Sequence, residues 1–221
     1  LRVQVGDDGL INAIAGGAIN IDSPQFALHI GTLQAGADLS VSASKSGMDA
    51  ERLASTGGSV RATANGDAAI GTVEALSGVD IATTGALASG VIASASGDVT
   101  LNAVTGMALG AVDAGTGSVT ANVSGSDAPL LSVGDHVTAL KDISLISSGA
   151  MQMASGSQVS AGQQATLSSK GDMVLGSVMG GATHGNAIDI TSGGSITSNG
   201  AVVNLQARQG GSTFLEAEKD I

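Results

Sequence analysis

A six-residue phrase occurs four times in this chain and sets what it can fold into. It reads Ile30-Gly31-Thr32-Leu33-Gln34-Ala35, then Ile70-Gly71-Thr72-Val73-Glu74-Ala75. It returns as Leu109-Gly110-Ala111-Val112-Asp113-Ala114 and as Leu175-Gly176-Ser177-Val178-Met179-Gly180. The pattern is aliphatic, Gly, small, aliphatic, polar, small. The first three copies lie about 40 residues apart and the fourth about 66 further on, which suits a unit of roughly 20 to 22 residues. A unit that short cannot bury its own apolar face and must stack on copies of itself, so the period implies a solenoid.

Composition narrows the kind of solenoid. Of 221 residues, 43% are hydrophobic but only 1% aromatic, with Phe26 and Phe214 the sole aromatics. A globular core of this size uses several aromatics, because each buries a large area. Here Val, Ile, Leu and Ala must fill the interior, which favours a bore one or two side chains thick. With 34 Gly and 12% charged residues disorder has to be weighed. The β-branched content and a mean hydropathy of +0.32 argue for order. Frequent Gly, Ser, Thr and Val disfavour long helices, and only Pro24 and Pro129 lack a backbone N–H.

Each unit reads as up to three short strands. The first often follows an Asp, as in Asp38-Leu39-Ser40-Val41, Asp98-Val99-Thr100-Leu101 and Asp142-Ile143-Ser144-Leu145. The leading aliphatics Ile19, Leu39, Val60, Val79, Val99, Val119, Ile143, Ala165 and Ile188 step by 19 to 24 residues. Alternation with period two turns these inward and the Ser, Asn, Thr and Asp set outward. A second strand follows a Gly turn (Gly66 to Ile70, Gly106 to Leu109, Gly149 to Met153, Gly171 to Leu175), and the third is the tail of the organising phrase. The recurrent Gly between them is expected to turn a tight corner at φ > 0. The fold class is therefore all-β: a right-handed parallel β-helix (solenoid) of about ten coils of roughly 20 residues, one repeat segment over 1–221. Stacked at about 4.8 Å, the coils make a rod near 50 Å long.

Three segments depart from the period and are expected to bulge as loops, the places where solenoids carry binding residues. Residues 42–58 hold Lys45, Asp49, Glu51 and Arg52, with a helical turn expected over Met48 to Leu53. Residues 123–137 contain Pro129, and 179–186 contain a Gly pair and His184.

No chemistry announces itself. The net charge of −11 repels phosphate backbones and anionic lipid, which makes nucleic acid and membrane surfaces poor partners. There is no Cys, and no apolar run of about 18 residues. His29, His136 and His184 are isolated from one another, without the spacing of a transition-metal site. The Gly-Asp pairs (Gly66-Asp67, Gly97-Asp98, Gly134-Asp135, Gly171-Asp172) lack the nonapeptide frame of calcium-binding β-rolls, so the Asp residues read as turn caps. Eight scattered cations and no Tyr or Trp argue against a polysaccharide-cleaving β-helix, and single scattered Thr do not make an ice-binding ladder. No catalytic, cofactor-binding or metal residue is assigned, no cofactor is expected, and the chain reads as a non-enzyme.

Gly97-Asp98-Val99-Thr100-Leu101-Asn102-Ala103 and Lys141-Asp142-Ile143-Ser144-Leu145, each followed by Gly-aliphatic, and phrases such as Leu109 to Ala114 resemble the repeats of filamentous haemagglutinin. More broadly they resemble the long exoproteins of two-partner secretion, which include adhesins and the stalks of contact-dependent inhibition toxins. The resemblance covers nearly the whole chain as a repeat style. It implies a β-helical shaft, export from a Gram-negative cell through a partner outer-membrane transporter, and display at the cell surface or release. It also implies contact with a receptor or glycan on a host cell or a neighbouring bacterium. The family's N-terminal secretion domain, with its Asn-Pro motifs, has no counterpart, and no toxin domain is present. With Leu1 rather than Met first, the chain reads as an interior piece of a longer fibre.

Overall fold

Residues that alternate Val, Ile or Leu with Ser, Thr or Asn over five positions, between Gly and Asp, can only pay their hydrogen bonds to a neighbouring strand. In the computed structural model they pair with the equivalent residues one repeat away. Residues 1–4, 9–181, 185–199, 202–208 and 210–221 are described. The architecture is an all-β parallel solenoid with two sheets, one of eleven strands and one of fourteen, and no helix among the described residues.

The eleven-stranded sheet collects the first strand of every coil. Ile19, Leu39, Val60, Val79, Val99, Val119, Ile143, Ala165 and Ile188 stand in one hydrogen-bonded register, continued by Thr213. The nine aliphatics are buried, as expected for the inner face of a period-two strand. The steps along this column are 20, 21, 19, 20 and 20 residues up to Val119, then 24, 22, 23 and 25.

The fourteen-stranded sheet corrects the three-strand reading. Between residues 28 and 114 one long strand replaces the expected second and third: Leu28–Ala35, Met48–Ser55, Ala68–Ala75, Ala86–Ser94 and Gly106–Ala114. Burial slips phase within it. Ala68 and Ile70 point inward, but so do Val73 and Ala75. A straight strand would alternate without interruption, so the chain turns at Gly71-Thr72 while both arms keep facing the bore. From residue 130 onward the strand divides in two: Leu130–Val133 and His136–Ala139, Ala150–Met153 and Gln158–Ala161, Met173–Leu175 and Ser177–Gly180. The division begins where the repeat lengthens. Added residues at the bend leave the ladder, and three strands per coil result.

The glycine expectation is also corrected. Gly31, Gly71, Gly110 and Gly176 are not in the left-handed region; positive φ among the described glycines belongs to Gly115, Gly156, Gly185 and Gly210. What excludes a side chain at the bend is the coil below. A Cβ on Gly71 would lie 2.6 Å from the Glu51 carbonyl oxygen, and one on Gly176 would lie 2.7 Å from that of Ser157. On Gly90 and Gly110 it would overlap the carbonyls of Gly71 and Gly90. At Gly71, Gly90 and Gly110 the bend brings adjacent backbones too close for anything but hydrogen, whereas Glu51, at the same position one coil before Gly71, has an exposed side chain.

Two expected bulges resolve differently. Residues 42–58 form no loop and no helical turn: Met48–Ser55 is a strand in register with its neighbours. Met48, Ala50 and Leu53 are buried, while Asp49 and Glu51 face solvent. Alternation with the core overrode the helical preference of the charged residues. In 123–137 the loop exists but is confined to 124–129, where the preceding coil has only Val104 and Thr105. Within the third segment Met179 and Asn186 belong to strands, whereas His184 lies outside the described residues.

Candidate interaction surfaces

Three of the four Gly-Asp pairs, those of Asp67, Asp98 and Asp172, have a structural use that spans coils, and Asp38 and Asp142 share it without a preceding Gly. Asp38 accepts the backbone N–H of Ser59, Asp67 that of Ala86, Asp98 that of Ser118, Asp142 that of Gln164 and Asp172 that of Ser195, all at 2.8–3.0 Å. Each carboxylate thus reaches the equivalent corner of the next coil, which corrects the sequence expectation of local turn caps. Asp113, which accepts the N–H of Gly115 at 2.9 Å, is the local Asx turn. The clamps explain a second pattern. A Cβ on Gly58, Gly85 or Gly194 would overlap the carboxylate oxygen of Asp38, Asp67 or Asp172 in the coil before. At Asp38, Asp67 and Asp172 the clamp thus goes with a Gly 18 to 22 residues on, whereas Asp142 clamps Gln164 past Gln163.

The bend leaves a shallow groove of about 520 Å³ along the outer face of the fourteen-stranded sheet. Gly71, Gly90 and Gly110 form its floor, Ala69, Ala88 and Ala108 one wall, and Asp49 and Glu51 its acidic end. Nothing in it pairs a nucleophile with a base, which acyl or glycosyl transfer requires. Ser89, also on its lining, stands in register between Ile70 and Leu109. Its hydroxyl is buried and has no hydrogen-bond partner.

His29 is exposed on an outer column between Leu10 and Asp49, and His136 Nδ1 lies 3.3 Å from Asp135 Oδ1 at the solvent-facing bend. Among the described residues no group of three or more metal-ligating side chains converges, and no helix is long and apolar enough to cross a membrane. Charged side chains pair across coils, Arg52 with Glu74 and Arg61 with Asp80 at 3.7 Å. At such exposure these pairs contribute little, of order 0–1 kcal/mol each.

The loop 124–129 is the clearest protrusion. Ser124, Ser126, Asp127 and Ala128 are exposed and Pro129 is buried beneath them. Ala128 has φ of 50°, the only non-Gly positive φ among the described residues. Sequence reading found this loop by the lengthened period. It missed the groove, because nothing in the repeat says that the Gly marks a bend within one strand. No protein-family model matches the chain, and neither a curated protein nor a solved structure is significantly similar to it.

Proposed function

We propose that the chain is a structural and adhesive shaft segment of a large secreted Gram-negative surface exoprotein of filamentous haemagglutinin type, a non-enzyme that presents a distal domain or a receptor-binding surface away from the cell. The observation that carries this reading is the in-register stacking of buried aliphatics from Ile19 to Ile188. Such a rod is built from nearest-neighbour contacts and can be lengthened without changing its design. The repeat style of Gly97 to Ala103 and Lys141 to Leu145 supports the family. In this reading the chain leaves the cell through a partner outer-membrane transporter, and its outer face meets a receptor or glycan on a host cell or neighbouring bacterium.

The protruding loop 124–129 supports a second reading, a receptor-binding segment of a contact-dependent inhibition stalk. Fluorescently labelled chain, shown folded by circular dichroism, tests both on epithelial cells and on bacteria in parallel. Saturable binding that is lost when 124–129 is shortened to two residues selects the receptor-binding reading. Saturable binding that survives the deletion selects an adhesive shaft. Absence of binding to either cell type removes adhesion and leaves the mechanical role alone.

A further inference from the structure

The corner between the two sheets is closed in several coils by a hydroxyl. Thr83 Oγ1 accepts the N–H of Gly85 at 3.1 Å, Ser147 Oγ that of Gly149 at 3.2 Å and Ser192 Oγ that of Gly194 at 3.2 Å. One coil before Thr83, the same register position is Ala64. Ala64 offers no acceptor, and the Gly66 N–H donates to no atom among the described residues. Between them stands Asn65, exposed at an open pocket of about 400 Å³ that it lines with Ser44, Thr63 and Thr84. The Asn65 side-chain carbonyl accepts a hydrogen bond from Thr84 Oγ1 at 2.9 Å.

We propose that Asn65-Gly66 is a self-modifying site, at which the chain converts Asn65 to aspartate and isoaspartate without an enzyme. The Gly66 nitrogen gives its proton to solvent base and attacks Asn65 Cγ, forming the N–Cγ bond of a five-membered succinimide. The Cγ–Nδ2 bond breaks, and ammonia leaves with a proton from water. Water then opens the ring at either carbonyl, so that no oxidant or reductant is needed. Three features of this corner favour the first step. Gly66 carries no side chain to shield its nitrogen, that nitrogen is not tied up as a donor, and the Thr84 hydroxyl polarises the carbonyl under attack. Asn199 is likewise followed by glycine, whereas Asn12, Asn20, Asn102, Asn122, Asn186 and Asn204 are followed by residues with side chains. Of these, Asn20, Asn102 and Asn122 lie inside strands whose backbone is paired on both sides. The isoaspartate product inserts one methylene into the backbone of a corner that ties three coils together. There Asn65 donates its N–H to the Ala43 carbonyl, and Asp67 clamps Ala86.

The test incubates the whole chain at mildly alkaline pH and follows each Asn-containing peptide by mass spectrometry, with isoaspartyl methyltransferase labelling to identify the isomer. The Asn65 peptide gains one mass unit and becomes a labelling substrate faster than the peptides of Asn102 and Asn122. Ala64→Ser, which restores the hydroxyl that the Thr83, Ser147 and Ser192 corners use, slows it. Conversion of Asn65 no faster than that of Asn102 and Asn122 overturns the proposal. So does an unchanged rate in folded Ala64→Ser, which would remove the free amide as the cause.

Discussion

Gly71→Ala tests the bend directly, because two established effects of the substitution have opposite signs. Where φ is not left-handed, replacing Gly by Ala normally stabilises by about 0.4–1 kcal/mol, through the unfolded chain. At Gly71 the new Cβ would sit 2.6 Å from the Glu51 carbonyl oxygen, whereas ordinary contact begins at 3.4 Å. The atom struck is backbone, fixed in the ladder between Met48–Ser55 and Ala68–Ala75, so it cannot swing aside as a side chain would. Relief needs a displacement of about 0.8 Å between coils, the difference of those two distances. Overpacking of this kind costs about 1–3 kcal/mol, which outweighs the entropy gain and leaves a net loss of about 1–2 kcal/mol. Read as a urea midpoint by far-ultraviolet circular dichroism, with a slope of about 2–3 kcal/mol per molar, the loss lowers the midpoint by about 0.3–1 M. Gly17→Ala is the control: it has no atom within 4 Å of the added carbon and no positive φ, and its midpoint stays or rises. A Gly71→Ala protein as stable as wild type would refute the close-approach account of the whole glycine column.

Three further substitutions probe the other layers. Val99→Asp places a carboxylate in a fully buried column and is expected to cost more than 3 kcal/mol and to unfold neighbouring coils. Thr100→Asp, on the outer face, stays within about 0.5 kcal/mol of wild type; equal urea midpoints for the pair would overturn the register. Asp98→Ala removes the acceptor for the Ser118 N–H and should lower stability by about 1 kcal/mol, with faster hydrogen exchange at the Ser118 amide as the local readout. Ser89→Ala deletes a buried hydroxyl that has no partner; a gain of about 1 kcal/mol in thermal or urea unfolding is expected, and a loss would mean that the hydroxyl is satisfied after all.

Much of this protein was legible without coordinates, for a reason peculiar to parallel solenoids. A strand pairs with the residue one repeat away, so the period of the sequence is also the register of the sheet. The leading aliphatics from Ile19 to Ile188 step by 19 to 24 residues and stand in one column. Alternation likewise told inside from outside, because the side-chain period of a strand does not depend on its neighbours. Even the loop at 124–129 announced itself, as added length.

What only the tertiary structure decided lies at the corners and across the coils. In Met48–Ser55 the run Asp-Ala-Glu-Arg suited a helical turn taken alone; the buried column on which Met48, Ala50 and Leu53 stack made it a strand. The glycine of the organising phrase looked like a left-handed corner. It proved to be a point of close approach, a property of two coils that neither sequence copy holds by itself. The Asp residues looked like local caps, yet they clamp the N–H of the coil that follows. Period and alternation are written along one strand and can be read there, whereas contacts between coils are set by the pitch and bend of the whole stack.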